Sequence, residues 1–231
     1  ETVLGNKELA DRTGLSKATI SRLTYTLAAR GLLLYDTHLR RYRLGSTALS
    51  LGYPLLASLR VRQLARPLMK ALADQVGGSV SLGLRDRLRM VYVETSRGHD
   101  AIAFRPDIGA SLPMLATAMG RAWLARAPED VRHRLLDALR EAEPDDYERL
   151  AGAVDTAIEE LATLGFTRSR GDWQRDVHAV AVPMRTPIDG EILVFNCGVP
   201  AVRMTPRKLE REMGPRLLKL VAQVETLVAW E

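Results

Sequence analysis

The 231-residue chain is 46% hydrophobic and 26% charged, an ordinary globular composition on a length that admits two unequal domains. Its one cysteine, Cys197, excludes an internal disulfide; no Cys and His cluster has zinc spacing, no apolar run approaches the roughly 20 residues of a membrane span, and no secretory leader pattern is present, so no metal, cofactor or membrane partner is expected and the location is expected to be cytoplasmic. The net charge of +5 sits in residues 1–60, where Lys7, Lys17 and seven arginines face Glu1, Glu8, Asp11 and Asp36, and a basic module ahead of a neutral remainder suits phosphate binding by the module.

Asn6 is expected to cap a helix running to about Arg12, with Leu9 and Ala10 inward, and Thr13-Gly14 supplies a turn because glycine tolerates positive φ. A second helix starts behind Ser16 as N-cap, carries Ile20, Leu23 and Leu27 as its buried stripe, and ends near Arg30-Gly31. Residues 32–35 and 42–44 flank the polar tip 36–41 and read as a β-hairpin. Helix, turn, helix and hairpin make a winged helix over residues 1–45. Residues 46–58 and 61–76 both have helical spacing, giving a linker helix assigned to 46–66 and a second domain over 67–231. In that domain, strands are expected at 79–84, 88–95, 101–105, 177–182 and 191–198, and helices at 117–126, 129–140 and 145–164. Thr205-Pro206 is expected to open a long C-terminal helix. The class is α+β, with an antiparallel sheet covered by helices in the second domain.

Winding the second helix by about 100° per residue with its stripe inward turns Ala18, Arg22 and Tyr25 outward, flanked by Lys17, Thr19 and Ser21. In a helix-turn-helix the N-terminal half of this helix enters the major groove of double-stranded DNA. There arginine makes a bidentate contact with guanine, and Ser, Thr or Lys reach base edges or phosphates. Arg22 is the expected base reader, and the amides near Ser16 to Ala18 the expected phosphate contact. His38, Arg40 and Arg41 at the hairpin tip are expected to follow the adjacent backbone or minor groove. The alternative, a helical hairpin with a solvated charged face, is disfavoured because the turn glycine, the polar outward face and the confined charge agree.

The run NKELADRTGLSKATISRL at residues 6–23, with Gly31 and then Tyr42-Arg43-Leu44-Gly45, resembles the DNA-binding domain of the IclR family of bacterial regulators. LPMLATAMGRA at 112–122 resembles that family's signature at the start of an effector-domain helix, and AVAVP at 179–183 and NCGVP at 196–200 resemble its later strands. The resemblance covers almost the whole chain. It implies a GAF-like effector domain, a cavity around those three segments, and homodimers or homotetramers on a partly palindromic DNA operator. The family's winged helix opens with a further helix, so the protein is expected to extend before residue 1 or to have lost that helix. The family often has acidic residues before the late strands and small hydroxyl residues on the last one. Arg168-Ser169-Arg170 and Phe195 with Cys197 stand there in this chain, which points away from small oxo-acids. The effector implied is a small organic acid with an apolar or aromatic body, in a cavity lined by Phe104, Leu112, Ala118, Met119, Ser169, Val177, Ala179, Phe195 and Cys197. Alternation gives Val177 and Ala179 one strand face and Phe195 and Cys197 another, and the resemblance turns both toward the cavity. The carboxylate would meet the backbone N–H groups of Ala118 and Met119, with Arg168 or Arg170 as counter-charge.

An enzyme with a DNA-binding-like N-terminal module is the competing class. None of the Gly-x-Ser-x-Gly, His-Glu-x-x-His, phosphate-loop or dinucleotide patterns is present. Cys197 and His178 are both on expected strands, but Leu193, Val194 and Phe195 ahead of the cysteine favour a buried thiol over a nucleophile. No catalytic residue is assigned. A constitutive architectural DNA binder is disfavoured because it would not need the large neutral domain.

Overall fold

The computed structural model describes residues 3–99, 106–205 and 207–230, and its contacts divide the chain into two units, Glu1–Leu59 and Arg60–Glu231. The first unit contains α1 (Asn6–Thr13), α2 (Lys17–Ala29), the strands β1 (Leu33–Asp36) and β2 (Arg41–Leu44), and α3 (Ser46–Ser58). Gly14, at φ +69°, closes α1 by donating its N–H to Ala10 O and turns the chain into α2. Ser16 caps α2, its side chain accepting from Thr19 N at 3.2 Å. The strands pair antiparallel with Tyr35 opposite Tyr42, their rings 4.8 Å apart, and Leu4 adds a bridge to Tyr42.

Two details depart from the expected winged helix. Asn6 lies inside α1, with Gly5 as the capping position. Its amide instead joins the two helices, donating to Ser21 Oγ at 3.2 Å and accepting from Thr24 Oγ1 at 3.4 Å. The buried stripe of α2 runs through Ile20 and Thr24, leaving Leu23 and Leu27 47% and 37% exposed. Thr24 can occupy the interior because its hydroxyl is satisfied within the helix, donating to Ile20 O at 2.9 Å.

The second unit opens at Arg60, seven residues ahead of Pro67. Val61, Ala65 and Met69 are buried along one face of α4 (Arg60–Val76), so this helix packs from its first turn, with Pro67 on its exposed side. Six strands follow, β3 (Ser79–Asp86), β4 (Arg89–Arg97), β5 (Ser111–Pro113), β6 (Thr167–Arg170), β7 (Val177–Pro183) and β8 (Val194–Pro200). They form one antiparallel sheet in the order β5-β4-β3-β8-β7-β6. The helices are α5 (Ala118–Arg126), α6 (Glu129–Ala142), α7 (Pro144–Leu150), α8 (Gly152–Leu164) and α9 (Gly214–Ala229). The strand expected at 101–105 lies outside the described residues. β5 and β6 escape the sequence reading because they span three and four residues, and Arg168 and Arg170 make β6 look like a charged loop. The helix expected over 145–164 is opened by Pro144 and interrupted at Ala151. Pro206 lies outside the described residues; Arg207 beside it has φ +64°, so helical backbone begins only after it, with a wide π-turn over Leu209–Met213 before α9. Among the described residues no helix is long and apolar enough to cross a membrane.

α4 and α9 pack together against β3, β4, β7 and β8, and α5, backed by α8, covers the other side. Register partners in an antiparallel pair share a face, so the rows Val80–Cys197–Val180 and Leu82–Phe195–Val182 lie together. Val182 borders a groove with Val221 of α9, which identifies this as the α9 side. Phe195, Leu82 and Cys197 are fully buried there, each large apolar side chain contributing about 1.5–3 kcal/mol by burial. The opposite rows, Ser79–Gly198–Ala179 and Ser81–Asn196–Ala181, face α5. A bulge between Leu82 and Gly83 pairs Leu82 with Glu94 and Gly83 with Tyr92. Because Val93 is the extra residue, Tyr92 and Glu94 leave β4 on opposite faces, where regular alternation would have put them on one. Glu94 is buried and ion-paired to Arg62 Nε at 2.8 Å and Arg66 Nη2 at 2.9 Å on α4.

Candidate functional site

In the first unit, Ser16, Lys17, Ala18, Thr19, Ser21, Arg22 and Tyr25 are all exposed on α2. Ser16 shapes the helix start, while Arg22 makes no side-chain hydrogen bond or ion pair among the described residues, so its guanidinium is available to a ligand. At the hairpin tip, Asp36 Oδ1 accepts from His38 N and Leu39 N, both at 2.9 Å. His38 and Arg40 project into solvent. Arg41 does not join them: its Nη2 lies 3.3 Å from Glu8 Oε1, so it braces the wing against α1.

The second unit contains a narrow pocket between the start of α5 and the sheet, with a cavity volume of about 30 Å³. Of the residues expected there, Leu112, Ala118, Ser169, Val177 and Ala179 line it. Met119 is fully buried instead, aimed at Gly83, and Phe104 lies outside the described residues. Phe195 and Cys197 are on the α9 face, because β8 presents Asn196 and Gly198 to the pocket in register with Ala181 and Ala179. The sequence reading is therefore one residue out of phase on this strand, and on a strand that is the whole difference between pocket and core. It also misses Ser79, Tyr92, Thr117, Trp173 and Gln174. The available signal is size alternation, with Ser79 and Ser81 between Val80 and Leu82, and Asn196 and Gly198 between Phe195, Cys197 and Val199.

Gly120 is buried so close to Met114 that a Cβ would stand 2.2 Å from its carbonyl oxygen. That approach sets the first turn of α5 beside β5 and the pocket. Thr117 caps the turn, accepting from Gly120 N at 3.1 Å and donating to Pro113 O at 2.8 Å. The first two helical amides, of Ala118 and Met119, have no intrahelical acceptor.

Arg168 and Arg170 do not serve the pocket. Both are ion-paired to Glu210, and Arg168 also to Glu160, because β6 alternation turns Ser169 inward and its neighbours away. The buried cation near the pocket is Arg121, which donates to Asp172 Oδ2 at 2.7 Å and Arg168 O at 2.6 Å. Ser169 Oγ donates to the same carboxylate oxygen at 3.1 Å. Burial pushes Asp172 up, but the hydrogen bond and charge of Arg121, with donors from Ser169 and the Arg170 amide, outweigh it and hold the carboxyl below its usual value. Cys197 and His178 are not partners: Cys197 is opposite Val180 and His178 opposite Val199. Burial raises the Cys197 thiol to about 12, the reverse of what a nucleophile needs. Among the described residues no group of three His, Cys, Asp or Glu side chains converges as a metal set.

The family model for the IclR helix-turn-helix domain matches residues 1–37, and that for the bacterial transcriptional regulator IclR C-terminal region matches residues 54–226. The chain is 33% identical over 225 residues to the HTH-type transcriptional regulator TsaQ1/TsaQ2 of Comamonas testosteroni, covering 96% of this chain and 81% of that one. An IclR family transcriptional regulator from Brucella abortus superposes with a TM-score of 0.86 at 40% identity, covering 98% of this chain and 86% of the other. An IclR homolog from Microbacterium hydrocarbonoxydans, crystallised with 4-hydroxybenzoate, shares the fold at a TM-score of 0.74 and 21% identity, covering 100% and 93%.

The lowered Asp172 carboxyl makes its ion pair a pH-dependent support of the pocket wall. A carboxyl depressed on folding stabilises the fold above its ordinary value of 3.8, and that contribution is lost as pH falls through the lower folded value. Asp172→Asn should cost about 2 kcal/mol at neutral pH, less than a fully buried pair because the carboxylate is partly exposed and Arg121 keeps the Arg168 carbonyl. Melting temperatures of both proteins between about pH 7 and pH 3 should converge in acid; a constant gap would show that the charge of Asp172 is not what matters.

Proposed function

Because the chain belongs to the IclR family of bacterial transcriptional regulators, we propose that it binds a DNA operator as a homodimer through α2 and the wing, under control of a small organic acid held beside α5. The observation that carries the DNA reading is the solvent face of α2, where Arg22, without a side-chain partner among the described residues, stands among short polar side chains next to a wing bearing His38 and Arg40. A groove-inserted helix needs short residues that let the backbone approach and a cation that reaches a base edge. Site of action is then the cytoplasm.

The acid reading is supported by the pocket's mixed walls. Tyr92, Leu112, Trp173 and Val177 supply apolar surface, and the Ala118 and Met119 amides at the positive end of α5 supply a place for a carboxylate. With Arg168 and Arg170 committed to Glu210, the anion is held by backbone dipoles and neutral groups, without a counter-charge. The fold-related Microbacterium regulator with 4-hydroxybenzoate supports an acid with an aromatic body. Dimerisation is supported by α3, which buries none of its residues and exposes Leu49 and Tyr53 on one side and Leu51 and Leu55 on the other; so much uncovered apolar surface on a helix calls for a partner.

Arg22→Ala should weaken binding to a duplex selected from a random library by about 1–3 kcal/mol and relax base preference at one position of each half-site, whereas Arg40→Ala should weaken all sequences alike and flatten the salt dependence. Unchanged discrimination by Arg22→Ala would sink the base-reading role. Sedimentation of the chain at micromolar concentration should show no predominant monomer, and a clean monomer that still binds one half-site tightly rules the dimer out. In a thermal-shift panel, aromatic acids should stabilise the protein more than glyoxylate or pyruvate, and Trp173→Ala should erase the difference. Stabilisation by the oxo-acids alone overturns the apolar-body reading.

A further inference from the structure

Among the described residues, one buried side-chain polar atom of the pocket wall has no hydrogen-bond partner. Thr117 and Ser169 spend their hydroxyls on Pro113 O and Asp172. The Tyr92 hydroxyl accepts from Asn196 Nδ2 at 2.9 Å. With the amide nitrogen donating to Tyr92, the amide oxygen is turned away from it. That oxygen, Asn196 Oδ1, is buried and has no partner among the described residues, on a residue only 9% exposed that lines the pocket. A buried carbonyl without a donor is destabilising, and an apolar residue of the same size would remove the penalty. Such a group in a pocket wall is satisfied when the pocket is occupied.

We propose that Asn196 reads a hydrogen-bond donor on the ligand, so that the ligand class is a hydroxyl-bearing aromatic acid with its hydroxyl against Asn196 Oδ1 and its carboxylate toward the start of α5. This rests on the organic-acid reading of the pocket and narrows it. The acceptor-only oxygen also sets polarity: a carboxylate turned toward Asn196 would meet another oxygen, so the ligand enters with its acid end at the Ala118 and Met119 amides. Tyr92 is a positioning residue in this scheme, since it acts by holding the amide. Ligands that carry only an acceptor at the hydroxyl position, such as methyl ethers, leave the carbonyl unpaired and are rejected.

The experiment is calorimetric titration of the full chain with benzoate, 3- and 4-hydroxybenzoate and the corresponding methoxybenzoates, on wild type, Asn196→Leu and Tyr92→Phe. In wild type one hydroxybenzoate should bind at least about tenfold more tightly than benzoate and its own methyl ether. Asn196→Leu should abolish that preference and, without ligand, should melt at or above the wild-type temperature, because it replaces an unpaired carbonyl by an apolar side chain of similar size. Tyr92→Phe frees the amide to rotate and should raise the ether relative to the phenol. Equal binding of benzoate, phenol and ether by wild type overturns the inference and leaves the acid pocket standing. A lower melting temperature for Asn196→Leu with the hydroxyl preference intact makes Asn196 a structural residue and also overturns it. Failure of every acid to bind, pyruvate included, overturns the acid reading and the inference together.

Discussion

A six-stranded sheet with helices on both sides must bury both faces of its central strands, and the second unit is organised by how differently it fills the two. On the side of α4 and α9 the rows are large and apolar, Val80 with Cys197 and Val180, Leu82 with Phe195 and Val182. On the side of α5 they are small or polar, Ser79 with Gly198 and Ala179, Ser81 with Asn196 and Ala181. Large side chains interdigitate and close a core at crystal-like density. Small ones leave room under α5, and that room is the pocket.

The helix over that room is held by short-range constraints that leave it little freedom. Gly120 lets the first turn of α5 touch the backbone of Met114, and Thr117 caps the turn. Arg121, on the same helix, reaches Asp172 and the carbonyl of Arg168, tying α5 to β6 and to the segment that carries Trp173 and Gln174. The pocket wall therefore depends on a buried guanidinium that would be costly to leave unpaired. On the opposite side of the sheet, Glu94 binds α4 through Arg62 and Arg66. The bulge at Val93 allows Tyr92 to serve the pocket and Glu94 to serve α4 from positions only two apart.

The first unit is built on a smaller interior. Ala10, Ile20 and Thr24 are its buried residues on α1 and α2, and hydrogen bonds through Asn6 and the Arg41–Glu8 pair supplement them. Little apolar area is enclosed, so polar bridges between elements carry a larger share of the specificity of packing. The same economy leaves Arg22 on the outward side of α2 without a side-chain partner among the described residues, as a reading surface requires.

Much of this was legible in the residue order alone. Gly14 after Thr13 and Ser16 before an apolar repeat mark a turn and a cap, and both act within a few residues, so the helix-turn-helix needed no tertiary information. The exposed face of α2, the hairpin, the helix behind Thr117 and the class of the second domain followed from periodicity in the same way. What only the tertiary structure decided was orientation. Arg41 and Arg168 each had to choose between solvent, ligand and a distant carboxylate, and the choice fell to Glu8 in one case and to Glu160 and Glu210 in the other. Alternation along β8 says that Phe195 and Cys197 share a face, and not which face it is. That depends on register with β7 and with β3, more than a hundred positions away, and on which helices cover each side, and no local pattern encodes it.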